Sequence, residues 1–198
     1  MCGIGGILLK KKMNKDIFRR ELKKMSDSMI HRGPDNGGYW IDDNLRCGFC
    51  HRRLSIIDLS IQGAQPMVSQ TGRHVISFNG EIYNHLKLRK ELEQKGKKLK
   101  GFSDTEALLE HLEMFGLENT LKKVVGMFAF SVYDKKFKKI FIVRDRIGIK
   151  PVYYGLIGED KLVFASELKA IMSLSSFKNS IDRDSISNYM RHGYIPTP

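Results

Sequence analysis

The chain has 198 residues, of which 41% are apolar and 10% aromatic, and it carries a formal net charge of +12. This length suits one domain with a substantial buried core, and the composition is that of a globular protein. No apolar run approaches the roughly 18 residues that a membrane-spanning helix needs, and three cysteines do not make a disulfide framework. We therefore expect a cytoplasmic domain with no membrane partner.

Much of the excess charge comes from lysine clusters at residues 10–12, 95–100 and 135–139. Nucleic-acid binding would need a continuous basic patch, commonly with aromatic side chains between the lysines. The clusters fall at predicted turns or helix surfaces and have no such aromatic pattern. We interpret them as solvated surface and expect no nucleic-acid partner, with nucleic-acid binding kept as a distant alternative.

The first predicted element is a β-strand at residues 3–9, directly followed by three lysines. A signal peptide has the opposite order, with its positive charges before the apolar segment, so the sequence does not indicate export. Residues 14–29 predict an amphipathic helix, because Phe18, Leu22, Met25 and Met29 recur with helical spacing. The glycine and proline in residues 31–35 then predict a loop.

The middle of the chain predicts short strands at residues 38–41, 45–51 and 73–78 and a second helix at 86–95. A third helix has clearer ends, because Ser103 and Glu106 form an S-x-x-E capping box and Gly116 can terminate the helix. The last part predicts strands at 127–133, 139–143, 152–156 and 161–165, and short helices at 167–172 and 182–192.

The order is therefore strands, a group of helices, and strands again. Two sheets packed between helix layers would bury the apolar faces of all these elements. We predict an α+β fold with one domain at residues 1–193. Residues 194–198 end in Pro-Thr-Pro and are interpreted as the start of a linker.

Cys2 is the first candidate catalytic residue. If Met1 is removed, Cys2 carries a free α-amine, and an N-terminal nucleophile can use its own amine as the general base. An α-amine has an ordinary pKa of about 7.7–8.0, so a substantial fraction is unprotonated near neutral pH. Position alone is weak evidence, because most cysteines at position 2 have no catalytic role.

Asn79 and Gly80 are the second candidate feature, and we place them where the strand at 73–78 ends. A side-chain amide and a following glycine N–H can converge on one oxygen atom and form an oxyanion hole. The alternative is an ordinary Asn-Gly hairpin turn.

Arg53 and Asp104 are candidates for substrate binding. The planar guanidinium of an arginine can hold a carboxylate through two hydrogen bonds. Asp104, in the first turn of the third helix, can pair with an ammonium group, although an aspartate at this place also compensates the helix dipole. Together the two charges could hold both charged ends of an α-amino acid.

Residues 47–51 spell C-x-x-C-H, which is the attachment motif of c-type haem. Haem attachment requires export, and the sequence does not indicate it. On a strand, Cys47 and Cys50 would face opposite sides, which suits neither a zinc site nor a redox pair. We interpret both cysteines as packing residues and predict no metal site.

Read together, these segments resemble the class II glutamine amidotransferases, which use an N-terminal nucleophile, and specifically the glutaminase half of glutamine-hydrolysing asparagine synthetases. The similar motifs run in the family order over nearly the whole chain: M-C-G-I at 1–4, H-R-G-P-D at 31–35, R-L-S-I-I-D at 53–58, G-A-Q-P at 63–66, N-G-E-I-Y-N at 79–84, S-D-T-E at 103–106, G-M-F-A-F at 126–130, R-D-R at 144–146, G-I-K-P at 148–151 and A-S-E-L-K-A at 165–170.

The resemblance implies a four-layer αββα sandwich of the N-terminal-nucleophile hydrolase type and the hydrolysis of L-glutamine to glutamate and ammonia. It implies that Cys2 forms a γ-glutamyl thioester while Asn79 and Gly80 stabilise the oxyanion. It also implies roles in substrate binding: Arg53 for the α-carboxylate and Asp104 for the α-ammonium, with the pocket lined by Leu54, Ile56, Ile57, Asn79, Gly80 and Glu81. Arg32 and the 31–35 loop would lie near the route of the released ammonia.

The family's second domain carries an S-G-G-x-D-S ATP-binding motif that these 198 residues lack. The resemblance therefore implies that ATP and Mg²⁺ act in a C-terminal synthetase domain outside this sequence, that no cofactor is needed here, and that a homodimer is one assembly to consider. Two alternatives stay open. One is an amidotransferase that acts on a sugar or another carboxylate, and the other is a non-catalytic binding or regulatory module.

Overall fold

The computed structural model describes residues 1–55 and 58–196. In this part of the chain the strands are β1 (Gly3–Leu9), β2 (Asn36–Ile41), β3 (Cys47–Arg53), β4 (Met67–Val68), β5 (His74–Ile82), β6 (Gly126–Asp134), β7 (Lys139–Arg144), β8 (Tyr153–Ile157) and β9 (Lys161–Ala165). The helices are α1 (Lys15–Ser28), α2 (His85–Gln94), α3 (Asp104–Phe115), α4 (Leu117–Lys123), α5 (Leu168–Met172) and α6 (Arg183–His192).

The strands form two antiparallel sheets. The first sheet has the order β2-β3-β1-β9-β8 and the second has the order β4-β5-β6-β7. Because β1 lies in the middle of the first sheet, it pairs with β3 on one side and with β9 on the other. The N-terminal strand is therefore held along both edges.

Three buried clusters separate four layers. One cluster lies between the sheets and includes Ile4, Phe49 and Phe164 from the first sheet and Val75 and Ala129 from the second. A second cluster packs α1 and α5 on the outer face of the first sheet. The third packs α2 and α3 on the outer face of the second sheet. The predicted αββα sandwich is confirmed.

Local sequence signals explain where α1 begins and which of its faces is buried. The side chain of Asn14 accepts hydrogen bonds from the backbone N–H groups of Asp16 and Ile17, at 2.9 and 3.2 Å, and so caps the helix. The four apolar residues on which this helix was predicted are all fully buried: Phe18, Leu22, Met25 and Met29. Their burial against the first sheet confirms the amphipathic pattern.

The predicted ends of α3 are also confirmed, with one correction. Ser103 Oγ accepts a hydrogen bond from the Glu106 N–H at 3.1 Å, and Gly116 ends the helix with a φ of +83°. The Glu106 carboxylate does not return to Ser103, however. It accepts hydrogen bonds from the N–H groups of Lys100 and Gly101, because the chain entering the helix brings them within 2.8 Å.

The predicted end of the strand at residue 78 is wrong. Strand β5 continues to Ile82, so that Asn79 lies opposite Ala129 and Gly80 opposite Phe128 in β6. The pair is therefore neither at a strand end nor in a hairpin turn. Glycine is required at position 80 because a Cβ there would collide with the backbone oxygen of Met127. Close approach of β6, and not a turn, explains the Asn-Gly sequence.

Two short elements, β4 and α4, were not predicted. The linker predicted at 194–198 lies partly outside the described residues, and the domain boundary stays a prediction. Within residues 1–55 and 58–196, none of the helices combines the length and hydropathy that crossing a membrane would require.

A buried charge cluster joins α3 to the start of β5 and the end of β6. The His74 ring contacts Glu113 through Nδ1 and Asp134 through Nε2, the latter at 3.2 Å, and Arg73 also pairs with Asp134, at 2.6 Å. Burial opposes ionisation of Asp134, but hydrogen bonds from Arg73 and Phe137 outweigh it and lower the pKa of Asp134 to about 2.

We expect Asp134→Asn to lower the free energy of unfolding at pH 7 by about 2 kcal/mol. A carboxyl group whose pKa is depressed by folding stabilises the protein above its unfolded pKa near 4, and this stabilisation is lost as the pH falls toward 2. The loss caused by the substitution should therefore shrink to about half at pH 3. Urea unfolding of the wild type and the variant at pH 7 and pH 3 measures this loss. Asp43→Asn, a substitution of an exposed aspartate, is the control. A loss that does not change with pH would contradict this electrostatic account.

Candidate active site

Cys2 is fixed at the start of β1 by contacts to two loops. Its Sγ lies 3.4 Å from the Leu54 backbone nitrogen and 3.6 Å from the Leu54 oxygen. Its carbonyl oxygen accepts a hydrogen bond from Arg32 Nε at 2.9 Å. Since β1 is paired on both sides, these contacts give the second residue of the chain a defined position.

A cavity of about 90 Å³ opens beside the Cys2 thiol. All the predicted site residues that the structure describes line it: Cys2, Arg53, Leu54, Asn79, Gly80, Glu81 and Asp104. These lining residues come from both sheets and from the first turn of α3. Ile56 and Ile57, also predicted for the pocket, lie outside the described residues. The structure thus brings the predicted residues together, while their individual roles stay predictions.

Asn79 lines this cavity and has an unused hydrogen-bond donor. The residue is 1% exposed, and its Nδ2 has no hydrogen-bond partner among the described residues. Leaving a buried donor unpaired costs about 1–3 kcal/mol. Such a cost is typical of a functional site, where the missing partner is supplied by a ligand.

Burial raises the pKa of the Cys2 thiol, although the Leu54 N–H group and the charge of Arg53 act in the opposite direction. The thiol is therefore protonated near neutral pH and needs a base before it can attack a substrate. While Met1 is attached, the nitrogen of Cys2 is an amide and cannot accept a proton. In the processed chain, from which Met1 has been removed, this nitrogen becomes an amine next to the thiol.

Arg53 and Asp104 face the same cavity with opposite charges. The Arg53 guanidinium donates to the backbone oxygens of Asp58 and Ser60, the latter at 2.9 Å, and these bonds fix its plane. The Asp104 carboxylate accepts from the N–H groups of Ile82 and Thr105, at 2.9 and 2.8 Å. Burial raises the pKa of Asp104, and these two hydrogen bonds limit the rise.

Neither Arg53 nor Asp104 forms an ion pair with another residue of the described chain. Both side chains are more than nine-tenths buried, so their charges are little screened by water. A ligand with a carboxylate and an ammonium group would match this pair, as an α-amino acid does.

Gln65 and Lys150 are among the pocket residues that had no role in the sequence predictions. Gln65 accepts the Phe78 N–H at 2.7 Å and donates to Thr105 Oγ1 at 3.3 Å, so it joins the strand before Asn79 to the start of α3. Lys150 reaches the pocket from the loop after β7. Both belong to motifs noticed in the sequence, G-A-Q-P and G-I-K-P, but no local pattern indicates that they meet.

Arg32 is part of a charged network beside Cys2. Its Nη1 pairs with Glu167 at 3.0 Å, and Glu167 also contacts His31 and Lys169. Burial opposes the charge of Glu167, but hydrogen bonds from His31, Arg32 and Lys169 outweigh it and lower its pKa to about 2. The anionic Glu167 therefore holds Arg32 against the Cys2 carbonyl group.

The C-x-x-C-H segment lies in β3, away from the pocket. Cys47 faces the space between the sheets and Cys50 faces α1, so the prediction of opposite faces is confirmed. Both are buried free thiols, and burial raises the pKa of Cys50 to about 12. Within the described ranges, His, Cys, Asp and Glu side chains form no group of three that could hold a metal ion.

Residues 1–198 match the sequence model of a family described as a glutamine amidotransferase domain. Asparagine synthetase [glutamine-hydrolyzing] 1 of Bacillus subtilis is 40% identical over an alignment of 199 residues that covers all of this chain and 30% of that protein. Asparagine synthetase B [glutamine-hydrolyzing] of Escherichia coli is 40% identical over 172 residues, which are 87% of this chain and 30% of that protein. The chain spans about a third of the length of these relatives.

A solved structure has a similar fold. The glutamine phosphoribosylpyrophosphate amidotransferase of Bacillus subtilis superposes with a TM-score of 0.70 at 22% sequence identity, and the match covers 87% of this chain and 43% of that one. At this identity the similarity shows the fold alone, and it agrees with the αββα sandwich expected from the sequence.

Proposed function

This chain belongs to the glutamine amidotransferase domain family, and we propose that it hydrolyses L-glutamine to L-glutamate and ammonia with Cys2 as the nucleophile. One observation carries the proposal: Cys2 and the buried Asn79, whose Nδ2 has no partner among the described residues, line one cavity. Acyl transfer requires at least a nucleophile and a hydrogen-bond donor for the oxyanion in the same pocket.

In the first half of the reaction, the α-amine of processed Cys2 takes the thiol proton and Sγ attacks the side-chain amide carbon of glutamine. The carbonyl oxygen becomes an oxyanion, for which Asn79 Nδ2 and the Gly80 N–H group are the donors. The protonated amine then gives its proton to the departing nitrogen, which leaves as ammonia. Sγ is left as a γ-glutamyl thioester.

In the second half, the same amine, again unprotonated, accepts a proton from a water molecule that attacks the thioester carbon. Asn79 and Gly80 stabilise the second oxyanion in the same way. Its collapse breaks the bond to sulfur, returns the proton to the thiolate and releases glutamate. The base is needed twice, so both steps depend on a free amine at residue 2.

The substrate would be oriented through its charged end. Arg53 would bind the α-carboxylate and Asp104 the α-ammonium, which leaves the side-chain amide to reach Cys2. Leu54, Ile56, Ile57 and Glu81 would complete the pocket. The missing ion-pair partners of Arg53 and Asp104 among the described residues support this assignment, because a buried charge of this kind is costly without a counter-charge.

For the ammonia, we propose use in ATP-dependent asparagine synthesis by a C-terminal synthetase domain that would also hold ATP and Mg²⁺. The similarity to longer proteins named asparagine synthetases supports this assignment. A sugar or another carboxylate as acceptor stays the alternative.

We also propose a cytoplasmic location, which suits a chain whose three cysteines are all free thiols. The homodimer implied by the resemblance stays a prediction. A non-catalytic binding module is disfavoured by the unpaired donor of Asn79, because a module that only bound an amino acid would have no need for an oxyanion site next to a thiol.

The proposal is tested by controlling when Cys2 becomes the first residue. We expect protein with a removable N-terminal extension to be inactive, and glutamate and ammonia to form in equal amounts once a protease exposes Cys2. Loss of a general base typically costs about 10²–10⁴ in rate, so the contrast should be at least about 10²-fold. Intact-mass measurement gives the fraction with a free Cys2. Equal activity before and after cleavage would overturn the proposal.

A further inference from the structure

Lys150 is a buried cation whose role the proposed reaction leaves open. The residue is 6% exposed, lines the active-site cavity, and its Nζ donates to the sulfur of Met1 at 3.1 Å. No carboxylate of the described chain lies within ion-pair distance of this ammonium group. Processing removes Met1, and with it the thioether that Lys150 contacts.

The backbone that carries Lys150 is held by hydrogen bonds to β6, the strand that pairs with Asn79 and Gly80 of β5. The Asp145 carboxylate accepts the N–H groups of Lys150 at 3.0 Å and of Phe128 at 3.1 Å, and the Asp145 N–H donates to the Phe128 oxygen at 2.8 Å. Phe128 is the residue opposite Gly80 in the second sheet. The loop therefore holds the Lys150 backbone at the pocket, on the side where its ammonium contacts the Met1 side chain.

We infer that Lys150 keeps the α-amine of processed Cys2 unprotonated, by like-charge repulsion across the space that Met1 vacates. Two cations that share a poorly solvated site disfavour each other, and the one with the lower ordinary pKa loses its proton. The ordinary pKa is near 8 for an α-amine and near 10.4 for a lysine, so the amine is the group that loses its proton. Lys150 is then a positioning residue that acts through the base and does not touch the reacting atoms.

Other charged groups at or near the same pocket also influence the pKa of the Cys2 amine. Arg53 from β3 adds positive charge, while Asp104 from α3, Glu81 from β5 and Asp58 from the loop after β3 add negative charge. Arg32, from the loop before β2, does not line the pocket but adds positive charge at the Cys2 carbonyl oxygen. All of them remain when Lys150 alone is replaced. A comparison of matched variants therefore isolates the contribution of the one ammonium group.

The inference rests on the proposed function, because it takes the Cys2 amine to be the base. Lys150 and Cys2 line one small cavity, and two like charges within such a cavity, at an intermediate effective dielectric constant, interact strongly enough to move a pKa by about one unit. We therefore expect the acidic limb of the pH profile of kcat/KM to move upward by about one unit in Lys150→Met. At pH 6 this is about a tenfold loss, whereas at pH 9 the rates should agree within about twofold.

The experiment measures the pKa of the Cys2 amine in two ways, directly by NMR and indirectly from the pH profile of kcat/KM. Processed protein is labelled with ¹³C-cysteine, and the ¹³Cα signal of Cys2 is followed by NMR against pH in the wild type, Lys150→Met and Lys150→Arg. Cys47 and Cys50 lie inside the chain and have no amine. Lys98→Met, at an exposed site, removes the same formal charge far from the pocket and serves as the control.

Support would be a midpoint raised by about one pH unit in Lys150→Met, with Lys150→Arg and Lys98→Met near the wild type. An unmoved midpoint in a folded Lys150→Met protein would overturn the inference, as would a fall in rate that is equal at every pH. A higher KM with an unchanged midpoint would also overturn it, because Lys150 would then bind substrate. The titration does not need turnover, so failure of the proposed glutaminase activity is seen separately.

Discussion

Processed Cys2→Ala protein is expected to release no glutamate above background, a loss of at least about 10³-fold. The structure gives a specific reason. Sγ of Cys2 is the sulfur that lines the cavity with Asn79 and Asp104, and the other two cysteines are buried in β3. No other thiol of the described chain can reach the substrate. Glutamate release from glutamine, measured after mass spectrometry has verified removal of Met1, tests the expectation.

Cys47→Ala is the matched control, because it removes a buried thiol that faces the space between the sheets and does not line the pocket. It should retain activity and lose only stability. Cys2→Ala should still bind glutamine, since Arg53 and Asp104 are intact, and glutamine should raise its melting temperature. Equal activity in wild type and Cys2→Ala would sink the mechanism, and loss in Cys47→Ala alone would redirect attention to the C-x-x-C segment.

The second large effect is expected for Asn79→Ala, which should lower kcat by about 10²–10³-fold with little change in KM. The Asn79 amide has no partner among the described residues in the free protein and gains one when the oxyanion forms. For the same reason the substitution removes an unpaired buried donor. We therefore expect the thermal stability to stay constant or to rise, which is the opposite of what a structural asparagine would show.

Ser131→Ala is the control for this prediction. Ser131 is also fully buried with an unpaired side-chain oxygen, but it lies on β6 outside the pocket. Both variants lose a buried polar group, and only Asn79→Ala should lose activity. Measurements of kcat, KM and melting temperature for both variants and the wild type test this prediction. A drop in stability that accompanies the drop in kcat for Asn79→Ala would contradict the role of oxyanion donor.

Elements with strong periodic patterns were predictable because local physics determines them. Helix α1 has a capping asparagine and a complete apolar face, and α3 has a serine cap and a terminal glycine. The end of β5 was not predictable in this way. An Asn-Gly pair usually marks a turn, and only the tertiary approach of Met127 in β6 shows why a glycine is needed inside a strand.

The same limit applies to the candidate site. Cys2, Arg53, Asn79 and Asp104 could be named from the sequence because the resemblance assigns them. The sequence could not give the unpaired state of the Asn79 amide, since that depends on what fails to pack around it. Lys150 lies 148 positions after Cys2 and comes into the pocket through the Asp145 loop, a contact that no local spacing encodes.

The pairing of β1 on both edges has a consequence for the order of events during synthesis. The first partner, β3, ends at Arg53, and the second, β9, is complete only at Ala165. At a translation rate of about 5–20 residues per second, the ribosome needs roughly 6 to 22 seconds to make the residues between these points. During this interval the edge of β1 at residues 5–9 that later pairs with β9 has no partner. Met1 is still half exposed in the folded chain, so trimming can also be completed after folding, and the specific activity of a preparation depends on the fraction of molecules from which Met1 has been removed.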